Sequence, residues 1–98
     1  LPLTHCLLDL ERGVVRPRDG STPIRLTTRE RELLRFLAER SPAPVSRDDL
    51  MSKVWGYADT ALSRACDTTI RRLRTKIEAD PAQVRLLITE PGGYRLSA

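Results

Sequence analysis

Between Ser63 and Asp80-Pro81, apolar side chains recur only where one side of an α-helix would carry them. At 100° per residue, Cys66, Ile70, Leu73 and Ile77 fall within a stripe about 60° wide. A ridge that narrow anchors a helix along a single line, so most of its circumference must face something other than a core. Opposite the ridge stand Arg64, Thr68, Arg71, Arg72 and Thr75, with Thr69 and Lys76 on the flank. With Arg74, the segment 64–76 holds five cations against one carboxylate, Asp67. The chain's net charge is +4, and this segment carries all of it, because the other 12 basic residues are matched by 12 acidic ones. Solvated helix faces usually mix both signs. A face of one sign is the electrostatic footprint of a polyanion-binding element.

The chemistry of that face narrows the polyanion. A major groove is wide enough for an α-helix, Arg can bond guanine O6 and N7 in bidentate fashion, and Thr can bond base edges or touch a thymine methyl. Readers of RNA and single strands stack bases on aromatic rings, and this face has none. Duplex DNA fits best.

The rest of the chain is read around this helix. Ninety-eight residues, 40% of them apolar and only 4% aromatic, predict one domain, 1–98, with a modest core of Leu, Ile and Val. Residues 1–26 read as a small antiparallel sheet, with short apolar pieces separated by Glu11-Arg12-Gly13 and by the turn signal Asp19-Gly20. Thr27-Thr28-Arg29-Glu30 fits a capping box at the start of a first helix, about 28–41, which Ser41-Pro42-Ala43-Pro44 ends. Ser46 opens a second helix, 46–56, with Asp48 and Asp49 in its first turn and Gly56 at its close. A loop, 57–62, leads to the basic helix, 63–79. The strands Val84–Thr89 and Tyr94–Ser97 then form a hairpin within 84–97, joined by Glu90-Pro91-Gly92-Gly93 with the Pro and Gly placement of a type II turn. Helix, turn, helix, loop, basic helix and hairpin, in that order, predict an α+β winged helix-turn-helix.

Other chemistries find little support. Cys6 and Cys66 lack C-x-x-C spacing, and the sole histidine, His5, adjoins Cys6 and would point to the opposite face of a strand. No metal or cofactor is expected, both thiols are expected to pack, and one histidine without paired carboxylates argues against an enzyme. No apolar run approaches a bilayer-spanning length and the start lacks a secretory pattern, so a soluble domain is expected.

Taken together, Ile24-Arg25-Leu26-Thr27-Thr28-Arg29-Glu30, Val45-Ser46-Arg47-Asp48-Asp49-Leu50, Val54-Trp55-Gly56, Ser63-Arg64-Ala65-Cys66-Asp67, Ile70 to Ile77 and Gly93-Tyr94-Arg95-Leu96 resemble the OmpR/PhoB-type effector domain. The resemblance covers nearly the whole chain. It implies a four-stranded N-terminal sheet, three helices and a C-terminal wing. It also implies a bacterial cytoplasmic transcription factor joined to an upstream receiver domain and bound to tandem half-sites. By the same resemblance, Thr68, Thr69 and Arg72 match base-facing places. Arg64, Arg71 and Arg74 match backbone contacts, Trp55 an indole that donates to a phosphate, and Thr89 and Tyr94 phosphate contacts at the wing. Loop 57–62 corresponds to a segment that touches RNA polymerase in some members.

The wing departs from the family pattern. It is one residue short and carries Glu90 and Pro91 where many members place a minor-groove cation, which leaves Arg95, pointing outward, as the nearest one. Asp67 is expected to orient an arginine or the helix rather than read a base. Arg12, Arg16, Arg18 and Arg25 are expected to be solvated. Two rivals accompany this reading: a regulator that is receiver-less or membrane-linked, and a winged helix serving protein–protein contact alone.

Overall fold

A computed structural model describes residues 2, 3, 6–56 and 60–97. The N-terminal sheet has three antiparallel strands in the order β1 (Cys6–Asp9), β2 (Val14–Pro17) and β3 (Ile24–Arg25). The fourth strand implied by the resemblance is reduced, among the described residues, to a single bridge between Pro2 and Leu7. Alternation along β1 and β2 turns Cys6, Leu8 and Val15 into the core.

Helix α1 (Thr28–Arg40) begins with the expected capping box. The Thr27 hydroxyl accepts from the Glu30 amide, and the Glu30 carboxylate accepts from the Thr27 amide at 2.7 Å. Helix α2 (Arg47–Trp55) is capped by the Ser46 hydroxyl on Asp49 N–H and closes on Gly56 in the left-handed region, φ 90°. Only glycine takes that conformation at little cost. The sequence placed these two helices within a residue or so.

Helix α3 (Thr60–Ile77) is displaced from its expected span by one turn at its start. Ser63 lies inside the helix instead of capping it. Ala61 and Leu62 are strong helix formers, so the helix extends back through them. Residues 60–62 of the expected loop are therefore helical, and 57–59 lie outside the described residues. At the other end Glu78 leaves the helix and turns inward. Its buried carboxylate accepts the amide N–H groups of Arg85, Leu86 and Leu87 at 2.8–3.1 Å. The amides of Arg85 and Leu86 are thereby withdrawn from strand pairing, and the wing strand β5 spans Leu87–Glu90 rather than beginning at Val84.

The wing is a three-stranded sheet in the order β4-β6-β5, where β4 is Val45–Ser46 and β6 is Gly93–Leu96. Strand β4, between α1 and α2, was missed in the sequence because two residues between Pro44 and a helix cap carry no periodicity. Its pairing, Val45 with Tyr94 and Ser46 with Gly93, is what fastens the wing to the helices. The turn is as expected: Glu90 pairs with Gly93 across Pro91-Gly92, and Gly92 has φ +76°. The core joins Leu33, Leu34 and Leu37 of α1, Leu50 of α2, Leu73 and Ile77 of α3, and Leu87 and Leu96 of the wing, all fully buried.

Candidate nucleic-acid interface

The ridge of α3 is buried as the spacing predicted: Cys66, Leu73 and Ile77 have no exposure and Ile70 almost none. Each such side chain contributes about 1.5–3 kcal/mol by leaving water, which fixes the rotation of the helix about its own axis. Burial pushes the Cys66 thiol above its ordinary range, so it remains a neutral packing group. Cys6 is likewise buried and shifted upward, with its Sγ on the Ile77 carbonyl. His5 lies outside the described residues.

With the ridge fixed, the five cations of α3 divide into two groups. Lys76 turns toward the first sheet and pairs with the buried carboxylate of Glu30 at 2.5 Å, also donating to the Arg25 carbonyl at 3.0 Å. Arg74 turns toward the wing. Its Nε and Nη2 donate to the Leu87 carbonyl at 3.1 and 2.8 Å, and Nη2 also donates to the Thr89 hydroxyl at 2.8 Å. Its guanidinium lies 5.9 Å from the centre of the Tyr94 ring. Both cations brace the helix. Arg64, Arg71 and Arg72 are exposed, and among the described residues they have no ion-pair or hydrogen-bond partner. The face opposite the ridge thus presents three uncommitted guanidiniums.

The hydroxyls divide in the same way. Thr69 donates to the Ala65 carbonyl one turn back at 2.8 Å, and Thr75 donates to the Arg72 carbonyl at 2.6 Å. Each keeps acceptor capacity and a methyl group outward but has no proton to offer. Among the described residues Thr68 has no such partner. A shallow groove beside α3 brings together Trp55, Arg64, Thr68, Thr69 and Arg72, five of the residues singled out from the sequence. Its far wall is Thr27 and Arg29, from the start of α1, which sequence reasoning did not select.

At the wing, Asp67 does what was expected of it, with an arginine from another element. Its Oδ1 accepts from Arg47 Nη2 at 2.7 Å and from the Tyr94 hydroxyl at 3.1 Å, joining α3, α2 and β6. Burial is the main cause that pushes the Tyr94 phenol upward, so it stays protonated and a donor. That proton is already given to Asp67, and Tyr94 is only 6% exposed. Arg74 and Tyr94, singled out for phosphates, are therefore both held in contacts within the fold. Arg47 lies at the same corner, lining a notch with Thr89 and Tyr94, and was missed because nothing in the sequence near Ser46 points to the wing. At the tip, Arg95 is half-buried and paired with Glu90, so the expected outward cation is neutralised. Arg12 pairs weakly with Asp9 on the surface, and Arg18 donates to the Leu3 carbonyl.

The family model for the C-terminal domain of transcriptional regulatory proteins matches residues 21–96. The chain belongs to that family and is an OmpR/PhoB-type winged-helix domain. Among solved structures, the DNA-binding domain of CpxR from E. coli is 29% identical, with a TM-score of 0.78, over 100% of this chain and 95% of that one. The response regulator DrrB of Thermotoga maritima, an OmpR/PhoB homologue, is 31% identical with a TM-score of 0.69, over 88% of this chain and 42% of that longer one. The Klebsiella pneumoniae RstA DNA-binding domain, solved with its RstA box, shares the fold at a TM-score of 0.79 and 22% identity, over 99% and 95% of the two chains. The family is one of regulators, not enzymes. Among the described residues, no helix is long and apolar enough to cross a membrane.

Proposed function

We propose that this domain binds specific duplex DNA sequences to control transcription, as the output domain of a two-component response regulator in the bacterial cytoplasm. The observation that carries the proposal is the segregation on α3. Arg74 and Lys76 brace the helix, while Arg64, Arg71 and Arg72 project from the face opposite the ridge with Thr68 among them. A helix set in this way can enter a major groove with its charges facing the bases and the flanking phosphates.

In this reading Thr68, Thr69 and Arg72 read bases, with Thr69 acting through its acceptor oxygen and methyl. Arg64, Arg71 and the Trp55 indole N–H hold phosphates, and Arg47 joins Thr89 in holding a phosphate below the wing. Arg74 and Tyr94 keep the wing in place for that contact. The wing tip, with Glu90 cancelling Arg95, adds position but no minor-groove cation. An upstream receiver, tandem half-sites and a polymerase contact near 57–62 complete the proposal, on the pattern of the family.

Affinity resting on phosphate neutralisation must fall with salt, with a log–log slope of roughly −0.9 per phosphate. Titration of random duplex at several salt concentrations is expected to give a slope of about −3 to −4, the range set by Arg64, Arg71, Arg47 and one further cation. A flat response, or no binding at low salt, rejects the proposal in favour of a winged helix that contacts only protein.

A further inference from the structure

We infer that Arg29, on the first helix, is an additional phosphate-binding residue, so that the DNA-contacting surface extends from α3 across Trp55 onto α1. The inference rests on the proposed function above and adds a residue that neither the sequence pattern nor the family resemblance singled out. In the sequence Arg29 is simply the second residue of a capped helix, a position usually solvated.

In the fold, Arg29 forms one wall of the groove whose other wall is Arg64, Thr68, Thr69 and Arg72. Its guanidinium lies 5.9 Å from the centre of the Trp55 ring, within the range of a cation–π contact. One of its two terminal nitrogens, Nη1, donates to the Val54 carbonyl at the end of α2. These two contacts hold the planar group against the indole and lower the entropy lost when it meets a ligand. Among the described residues, the acid that Arg29 meets is Glu32, 3.5 Å from the same Nη1, and both side chains of that pair are about half exposed. A pair of that kind in water is weak and yields readily to a phosphate.

Among the described residues, Nη2 and Nε of Arg29 have no partner. A guanidinium with one edge used for the protein and one free edge presents the planar fork that matches a phosphate. Three guanidiniums, those of Arg29, Arg64 and Arg72, thus line one groove in which the described lining residues include no carboxylate. Such a surface repels cations and accepts an anion of extended shape. A strand backbone running past the Trp55 indole has Arg64 on one side and Arg29 on the other. The ligand class is the phosphodiester backbone, without base preference, because Arg29 stands on α1 rather than on the helix that enters the groove.

The test is a titration of duplex DNA against the parent domain, Arg29→Gln and Arg29→Lys at about 50 and 200 mM salt. Glutamine removes the charge, and because its amide ends short of the Nη1 position it also gives up the Val54 carbonyl contact, so melting temperatures are measured to separate that local loss from the salt slope. Loss of one phosphate contact lowers the salt slope by about 0.9. Arg29→Gln is therefore expected to bind more weakly at low salt, with its deficit against the parent shrinking about threefold between the two salt concentrations. Arg29→Lys restores the slope. The same factors are expected on random and specific duplexes. The sole tryptophan, Trp55, gives an independent readout, because its fluorescence change on DNA binding should be altered in Arg29→Gln. If Arg29→Gln keeps the parent's slope on every duplex, Arg29 only closes α2 and the inference is overturned, whatever happens to its melting temperature. If the parent itself shows no salt-dependent binding, the broader reading of α3 fails, and Arg29 fails with it.

Discussion

Lys76 and Arg72 sit one turn apart on the same helix, yet the fold spends one and leaves the other free. Lys76 neutralises Glu30, a carboxylate with almost no exposure that also caps α1. Removing one partner of a buried pair leaves an uncompensated charge and costs about 3 kcal/mol. Lys76→Met is expected to lower the unfolding free energy by about that amount in a urea melt, while the salt slope of DNA binding stays at the parent's value. A lowered slope with unchanged stability would place Lys76 among the DNA contacts instead. Which cation is which was only partly legible in the sequence. The count and phase of charges on α3 predicted a basic face, and the buried ridge confirmed its phase. The partners of Arg74 and Lys76 come from the wing and from α1, 13 and 46 residues away, so helical phase alone could not reveal them. The same holds for Arg47, whose importance rests on Asp67 and Tyr94.

At the scale of elements, the wing is positioned by a contact that depends on one missing side chain. A Cβ on Gly93 would lie 2.0 Å from the Val45 carbonyl oxygen and 2.8 Å from its carbon, both backbone atoms that cannot swing away. Gly92 differs: its φ of +76° strains any larger residue, but a Cβ there meets nothing within 4 Å. Gly92→Ala is expected to cost about 1–2 kcal/mol through the left-handed backbone alone. Gly93→Ala is expected to cost about 3 kcal/mol or more, because β4 must separate from β6. Paired denaturant melts measure both, and equal or reversed costs would contradict the role given to β4. Strong local signals, such as the Thr27–Glu30 box, the Ser46 cap, Gly56 and Pro91-Gly92, placed their elements from sequence. Strand β4, the early start of α3 and the shortened β5 were not placed. Each is decided by another part of the chain or by helix propagation: β6 for β4, Glu78 for β5, Ala61 and Leu62 for α3.

At the scale of the molecule, the two sheets and α1 form a frame that braces α3 from either side and leaves its far face open. Asp67 and Arg74 tie it to the wing, Lys76 ties it to α1 and β3, and the ridge fixes its rotation. A recognition surface built in this way is largely formed before DNA arrives, so binding energy need not be spent on ordering it. Specificity then rests on a few outward side chains, with Arg72 the one best suited to guanine. The most direct measurement is selection of bound sequences from a random duplex pool by the parent, Arg72→Ala and Arg71→Ala. The parent should enrich a defined motif. Arg72→Ala should relax preference at one base position and lose about 1–3 kcal/mol on the selected site. Arg71→Ala should keep the motif while weakening all duplexes by similar factors. A parent that enriches no motif, or an Arg72→Ala variant that enriches the parent's motif undiminished, would contradict the account of α3 as the reading element.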